Sequence, residues 1–337
     1  MTLATALGQI TLGQDLPAEE ARAVFDQIFS GEVAESDIAA LLVALRSKGE
    51  AVSELHGAVA SMCAHMKALD APEGAIDIVG TGGDGHGTLN VSTAAALVVA
   101  GAGVVVAKHG NRAASSQSGS SDVLGELGVT LDPPWEVLER AVHDIGLVFL
   151  YAPRHHPAMS YVAPVRRKLG VRTIFNLLGP LTNPAQVRRH LIGVFNQAWS
   201  QPMAQTLAAM GSETAWITHG ADGLDEISIT GLTHVTALEG GTLRDFDLSP
   251  REAGVPLASL SEIQGGDAKA NAAAIHRLLA GETGAYRDIV LMNAGAALVI
   301  AEKAKDIQTG VVLAAASIDS GSAKDKLAQL VRMTSGG

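Results

Sequence analysis

The chain is short of cysteine, of long apolar runs and of positive charge. One cysteine in 337 residues, Cys63, excludes an internal disulfide framework and fits a reducing compartment. The longest apolar run, residues 94–107, is only ~14 residues, contains Gly101 and Gly103, and is too short to span a bilayer. Lys and Arg number 24 against 35 Asp and Glu, for a net charge of −11. Binding to a nucleic-acid polymer runs on excess Lys and Arg, so no nucleic acid is expected as partner. The first ten residues lack the basic n-region and apolar core of a signal peptide. The expectation is a soluble, cytoplasmic protein with no membrane partner. At ~150 residues per domain, the length allows one large or two modest domains with a sizeable core.

Acid is missing locally as well. Residues 85–121 contain no Asp or Glu, only Lys108 and Arg112. Residues 145–212 contain none either, against Arg154, Arg166, Arg167, Lys168, Arg172, Arg188 and Arg189. These stretches hold nine of the 24 basic residues and none of the 35 acids. Basic patches on an acidic body point to a small anionic ligand, or to a surface asymmetry without function.

The first ~70 residues read as helices. Pro17 suits a first helical turn, and Ala21, Val24, Phe25, Ile28 and Phe29 follow at helical spacing. Ser36 reads as the N-cap of a second helix carrying Ile38, Leu41, Leu42 and Leu45, ending near Gly49. A third spans 53–69. After Pro72, short strand patterns at 76–79, 104–107, 148–151, 190–195 and 214–218 alternate with helical stretches at 134–144 and 202–210. Helical patterns return at 270–279, 288–304 and 323–333. Alternating elements predict an α/β layer structure.

Four segments carry chemistry. Gly80-Thr81-Gly82-Gly83-Asp84-Gly85 matches G-x-G-x-x-G after a strand. A dinucleotide fingerprint needs a helix at once and an acid about 20 residues on. Here the loop runs on through Thr88 and Asn90 before Ser92 and Thr93 open a helix, and the next strand leads to Lys108. The P-loop pattern also fails, because Thr88 stands where its Lys belongs. A loop of backbone N–H groups leading into a helix N-terminus remains a general phosphate cradle.

The second segment, residues 108–120, holds Lys108, His109, Arg112 and four serines within 115–120 without an acid. Such donors suit phosphate oxygens, the alternative being a solvated Ser-rich loop. The third is Asp222-Gly223-Leu224-Asp225-Glu226, a carboxylate pair able to hold Mg²⁺ together with substrate phosphates, or else an exposed acidic turn. In the fourth, His156 to Met159 precede Arg166 on a short helix, then Asn176 to Pro184, whose Pro and Gly density predicts a shaped connection. Arg166 can pair bidentately with a carboxylate, against an exposed helical Arg beside Arg167 and Lys168. His155-His156 reads as structural, since no further His or Cys lies at zinc-ligand spacing.

Together these segments resemble the anthranilate phosphoribosyltransferases, a resemblance carried by residues 80–84, 90–93, 108–116 with Ser118-Gly119, 156–159, 176–184 and 219–226. It extends through Asn293-Ala-Gly-Ala-Ala and Ile318-Asp-Ser-Gly, covering nearly the whole chain. The resemblance implies a small N-terminal helical domain, residues 1–70 completed by a segment near 160–185. This would be hinged to a large α/β domain, residues 71–337, with a central mixed sheet flanked by helices, of nucleoside phosphorylase/phosphoribosyltransferase type. It implies a homodimer and Mg²⁺. Phosphoribosyl pyrophosphate would be held by Gly80, Gly83, Asp84, Thr88, Asn90, Val91, Ser92, Thr93, Lys108, His109, Gly110, Asn111, Arg112, Ala113, Ala114, Ser115, Ser116 and Ser120. Ser92, Asp225 and Glu226 would organise the metal, with Lys108, Asp225 and Glu226 as the catalytic set. Gly80, Asn111 and Arg166 would bind anthranilate, with His109 nearby.

Two positions depart from the family pattern. Gln117 stands where a Lys is frequent, and Ala113-Ala114 replace a bulkier or more polar pair. The missing Lys is expected to weaken phosphate affinity modestly. A pyrimidine nucleoside phosphorylase shares the fold and the Gly and Lys108 loops, but His109-Gly110-Asn111-Arg112 and Asp225-Glu226 favour the transferase. The same pair and the net charge disfavour a silent nucleic-acid-binding paralogue.

Overall fold

The computed structural model describes residues 1–112 and 117–336. Four helices open the chain: α1 (Leu3–Thr11), α2 (Ala18–Phe29), α3 (Glu35–Lys48) and α4 (Val52–Ala64). The buried face of α2 is Ala21, Val24, Phe25, Ile28 and Phe29, the set that its spacing predicts. α3 ends at Gly49, whose φ of +92° closes the helix. Two boundaries differ from the sequence reading. Ala34 precedes α3, so Ser36 lies inside the first turn and does not cap it. α4 stops at Ala64 because the chain beyond it is claimed by other backbone: Lys67 N–H donates to His155 O and Leu69 N–H to Pro184 O.

Among the described residues seven strands form one mixed sheet in the order β3-β2-β1-β4-β5-β6-β7. They are β1 (Ile76–Gly80), β2 (Val106–Gly110), β3 (Leu147–Tyr151), β4 (Arg189–Gly193), β5 (Thr214–Gly220), β6 (Thr233–Glu239) and β7 (Thr242–Leu248). β1 to β5 run parallel, while β6 and β7 add antiparallel. Lys108, His109 and Gly110 are strand residues, not the start of a loop as their polarity implies. Lys108 pairs in register with Phe149, and the His109 N–H donates to the Asp77 carboxylate at 3.1 Å.

Helices cover both faces: α5 (Val91–Gly101), α6 (Ser120–Glu126), α7 (Trp135–Arg140), α8 (Ala152–His155), α9 (Ala163–Leu169), α10 (Phe175–Leu181), α11 (Ser200–Ala209), α12 (Ala268–Leu279), α13 (Ala285–Ile300), α14 (Ile307–Asp319) and α15 (Ser322–Thr334). Successive strand residues feed two separate cores. Leu191 and Trp216 pack with α5, α13 and α15, whereas Ile192, Ala215 and Ile217 pack with the N-terminal helices. From β3 the chain leaves the sheet through α8 to α10 before returning as β4. On the way Val162, Val165, Phe175 and Leu178 join the core of α2 to α4.

The Pro- and Gly-rich segment at 176–184 is therefore helical through Leu181, contrary to its punctuation. Pro180 sits in the last turn of α10. There it withholds the N–H that would bond to the Asn176 carbonyl, and one turn on the Thr182 hydroxyl donates to the Leu178 carbonyl at 3.0 Å.

Candidate active site

The strand order makes the site. From β1 the chain moves outward to β2 and β3, then returns to the other side of β1 as β4. Such a switch opens a crevice beyond the carboxyl ends of the two central strands. Those ends are Gly80 and Gly193, paired in register. Asp225, from the loop after β5, lies directly over them. A Cβ at Gly80 would stand 2.5 Å from the Asp225 carboxylate, and one at Gly193 only 1.5 Å from its carbonyl oxygen. The Gly82 N–H donates to Asp225 Oδ2 at 2.6 Å. Gly80 stands out in the sequence; Gly193 does not, its only signal being a glycine closing an apolar strand.

Glu226 reaches the first turn of α5, where its Oε1 accepts the Ser92 N–H at 3.1 Å. Lys108 is buried beneath, 3% exposed, and donates to Ile78 O at 2.5 Å and Ser92 Oγ at 3.3 Å. Among the described residues no carboxylate lies within ion-pair distance of its ammonium. Burial pushes the Lys108 pKa down, while Asp77 and Glu226 pull it up. Burial and the neighbouring Asp84 carboxylate push Asp225 up, and burial with Asp225 pushes Glu226 up against the pull of Lys108. Crowded, desolvated carboxylates favour arrival of a cation.

The glycine loop bends through positive φ at Gly82, Gly83, Gly85 and Gly87. The Arg172 guanidinium donates to the Gly83 carbonyl and stacks 3.9 Å from the Phe195 ring centroid. It ties this loop to the segment after α9, a link with no sequence signal beyond an Arg in an acid-free stretch. Thr88 bridges Gln264. Val91 and Thr93 are buried on α5. Asn111 gathers the second segment: its side-chain oxygen accepts the Arg112 N–H at 2.7 Å, and its carbonyl accepts from Ser120 Oγ at 3.3 Å. Ser120 Oγ lies against Gly110, where a Cβ would be 2.2 Å away. Ala113, Ala114, Ser115 and Ser116 lie outside the described residues.

Arg166, on α9, sits over Phe175 with its guanidinium carbon 5.7 Å from the ring centroid, and has no acidic partner among the described residues. The basic stretch around it is mostly neutralised by distant acids: Arg154 with Asp132, Lys168 with Glu35, Arg188 with Glu213, and Arg189 with Glu213 and Glu302. Charge asymmetry along the sequence thus overstates the free cation in space. His109 and His156 face each other at 5.4 Å between ring centroids. Burial holds His109 well below the usual imidazole range and lowers His156 to about 4, so both are neutral.

Among the described residues no three His, Cys, Asp or Glu side chains form a ready metal cage. The donor set fits Mg²⁺ nonetheless. This ion takes one or two carboxylates and completes its shell with water and substrate phosphates, and Asp225, Glu226 and the Ser92 hydroxyl supply hard oxygens around the glycine loop and the α5 N-terminus.

A helical bundle joined to a mixed sheet, with a glycine loop at the switch point, is the plan of the glycosyl transferase family. Residues 4–66 match the helical bundle domain of the glycosyl transferase family and residues 72–324 its a/b domain. The anthranilate phosphoribosyltransferase of Bradyrhizobium diazoefficiens is 52% identical over 334 residues, covering 99% of each chain. The crystal structure of the enzyme of that name from Thermus thermophilus superposes with a TM-score of 0.93 at 43% identity, covering 98% of this chain and 99% of that one. That of Saccharomyces cerevisiae, in complex with PRPP and Mg, gives 0.90 at 28% identity, over 99% and 98%. A further yeast structure carries 4-fluoroanthranilate. The chain belongs to the anthranilate phosphoribosyltransferases. Its reaction moves the 5-phosphoribosyl group from phosphoribosyl pyrophosphate to the amine of anthranilate, a step of tryptophan biosynthesis.

Proposed function

We propose that this transfer, which gives N-(5-phosphoribosyl)anthranilate and pyrophosphate, takes place over the ends of β1 and β4. The observation carrying the assignment is the convergence of Lys108, Ser92, Asp225 and Glu226 from separate segments onto that crevice. The glycine loop, the α5 N-terminus and residues 108–120 hold the donor, with Gly80, Gly83, Asp84, Thr88, Asn90 to Thr93, Lys108 to Arg112, Ala113 to Ser116 and Ser120 in contact. Gly80, Asn111 and Arg166 hold anthranilate beside His109.

The aniline nitrogen is neutral near pH 7 and needs no base. The barrier lies in the leaving group, whose charge grows as the ribose C1 becomes oxocarbenium-like. Lys108 and the backbone N–H groups of the glycine loop meet that charge. Ser92, Asp225 and Glu226 would hold Mg²⁺, which when bound neutralises diphosphate charge. Neutral His109 and His156 form an uncharged wall, and Arg166 orients the acceptor through its carboxylate.

Residues 1–70, completed by 160–185, act as a unit hinged to 71–337, and closure carries Arg166 toward the phosphates. The protein acts as a cytoplasmic homodimer. A groove of about 720 Å³ between α1 and α3, lined by Ile10, Ala40, Val43 and Ala44, supports a second copy as its occupant. Loss of anthranilate fluorescence with phosphoribosyl pyrophosphate, with and without Mg²⁺, tests the activity. Sedimentation tests the dimer.

A further inference from the structure

Asn90 occupies the N-cap position of α5, yet its side chain makes no capping hydrogen bond. An Asn there normally turns its oxygen onto the helix and closes the N-terminus. Here that oxygen is held elsewhere. Asn271, buried on α12 and 181 residues further along, donates from Nδ2 to Asn90 Oδ1 at 2.8 Å and to Ser118 Oγ at 2.8 Å. Its Oδ1 accepts the Gly266 N–H at 2.8 Å. An amide carries two N–H donors, and both are spent on the two phosphate-binding segments, while its acceptor is fixed by the backbone. That fixes which way the Asn271 amide faces.

The same stretch grips the glycine loop by its backbone. Leu89 N–H donates to Ile263 O and Gly265 N–H to Gly87 O. We propose that Asn271 is a positioning residue for the phosphoribosyl donor: by occupying the Asn90 side-chain oxygen it aims the Asn90 NH₂ group at the diphosphate and leaves the α5 N-terminus open. Among the described residues the Asn90 NH₂ group has no acceptor. The Ser118 hydroxyl also donates to Asn90 Oδ1, at 3.3 Å, so Asn271 holds that oxygen both directly and through Ser118. Without Asn271 only this longer bond remains, and the Asn90 amide can turn to present its oxygen to an anion, or to cap α5 itself. The proposal rests on the reading that Asn90 contacts the donor.

Asn271→Asp separates the two functions of the side chain, keeping its shape and the acceptor for Gly266 while removing both donors. We expect its KM for phosphoribosyl pyrophosphate to rise about tenfold, with the anthranilate KM at saturating donor nearly unchanged. Asn271→Ala, which adds no charge, should do the same. Asn90→Ala should raise the donor KM alone, and the double variant Asn90→Ala plus Asn271→Asp should be no worse than Asn90→Ala. Additive effects, or equal rises in both KM values, overturn the proposal. So does a normal donor KM in Asn271→Asp beside a raised one in Asn90→Ala. A normal donor KM in Asn90→Ala overturns the donor-site reading and this proposal together. If both Asn271 variants fail to fold, the residue is a structural anchor and the proposal falls.

Discussion

Gly193 and Asp225 compete for one space: a Cβ on Gly193 would lie 1.5 Å from the Asp225 carbonyl oxygen and 2.3 Å from its carbonyl carbon. Both atoms are backbone, so neither can swing aside. Gly193→Ala must push the Asp225-Glu226 loop away from the crevice, at a cost of about 1–3 kcal/mol or more in strain. Activity should fall by more than tenfold, with a raised Mg²⁺ requirement. Gly125→Ala on α6, where a Cβ meets nothing within 4 Å, serves as control and should leave activity unchanged. Wild-type kinetics in Gly193→Ala would remove the close packing of this loop from the mechanism.

Arg166 is a half-buried cation with an aromatic face below it and no acid beside it among the described residues. Arg166→Ala should raise the KM for anthranilate by roughly 10–100-fold, the worth of a charge-assisted pair, with a far smaller effect on the donor. Arg166→Lys should recover only part of the loss, because a point charge cannot reproduce a bidentate contact. Equal changes in the two KM values would exclude the carboxylate role.

Asp225 and Glu226 are the two acids brought to the glycine loop and the α5 N-terminus. Asp225→Ala combined with Glu226→Ala should abolish Mg²⁺-dependent turnover and flatten the Mg²⁺ titration of donor binding, read by calorimetry. Turnover close to wild type would take both residues out of the metal site.

What could be read from the residues, and what could not, follows physical lines. Gly80, Lys108, Asp225 and Glu226 stand out because glycine clusters and charged residues at strand ends are rare without a reason. β6 and β7 do not stand out: β7 carries Arg244, Asp245 and Asp247 among weakly buried neighbours, as an exposed edge strand does. α10 is hidden because its Gly and Pro signal a break that tertiary packing of Phe175, Leu177 and Leu178 overrides. Lys108 draws attention to the crevice but hides where the strand ends, since a cation inside a buried parallel strand runs against its apolar pattern. Asn271 gives no signal, and Arg172 none beyond an Arg in an acid-free stretch, because their roles exist only once distant segments meet.

His190 makes stability fall in acid. It lies on β4, buried, with Nε2 3.1 Å from Ser212 Oγ, and burial lowers its pKa from 6.5 to about 4. The folded protein therefore keeps this imidazole neutral in a range where the unfolded chain protonates it. Above pH ~6.5 both states are neutral and the group has no effect. Between about 6.5 and 4 the unfolded state binds the extra proton, so stability drops by about 1.4 kcal/mol per pH unit, roughly 3 kcal/mol in all, and levels off below. His190→Gln keeps a polar group near Ser212 and cannot titrate. Its urea midpoint should be lower than wild type at pH 7.5, with the difference shrinking or reversing at pH 4.5. Parallel acid profiles for the two proteins would show that His190 takes up its proton equally in the folded and unfolded states, and would overturn the shift.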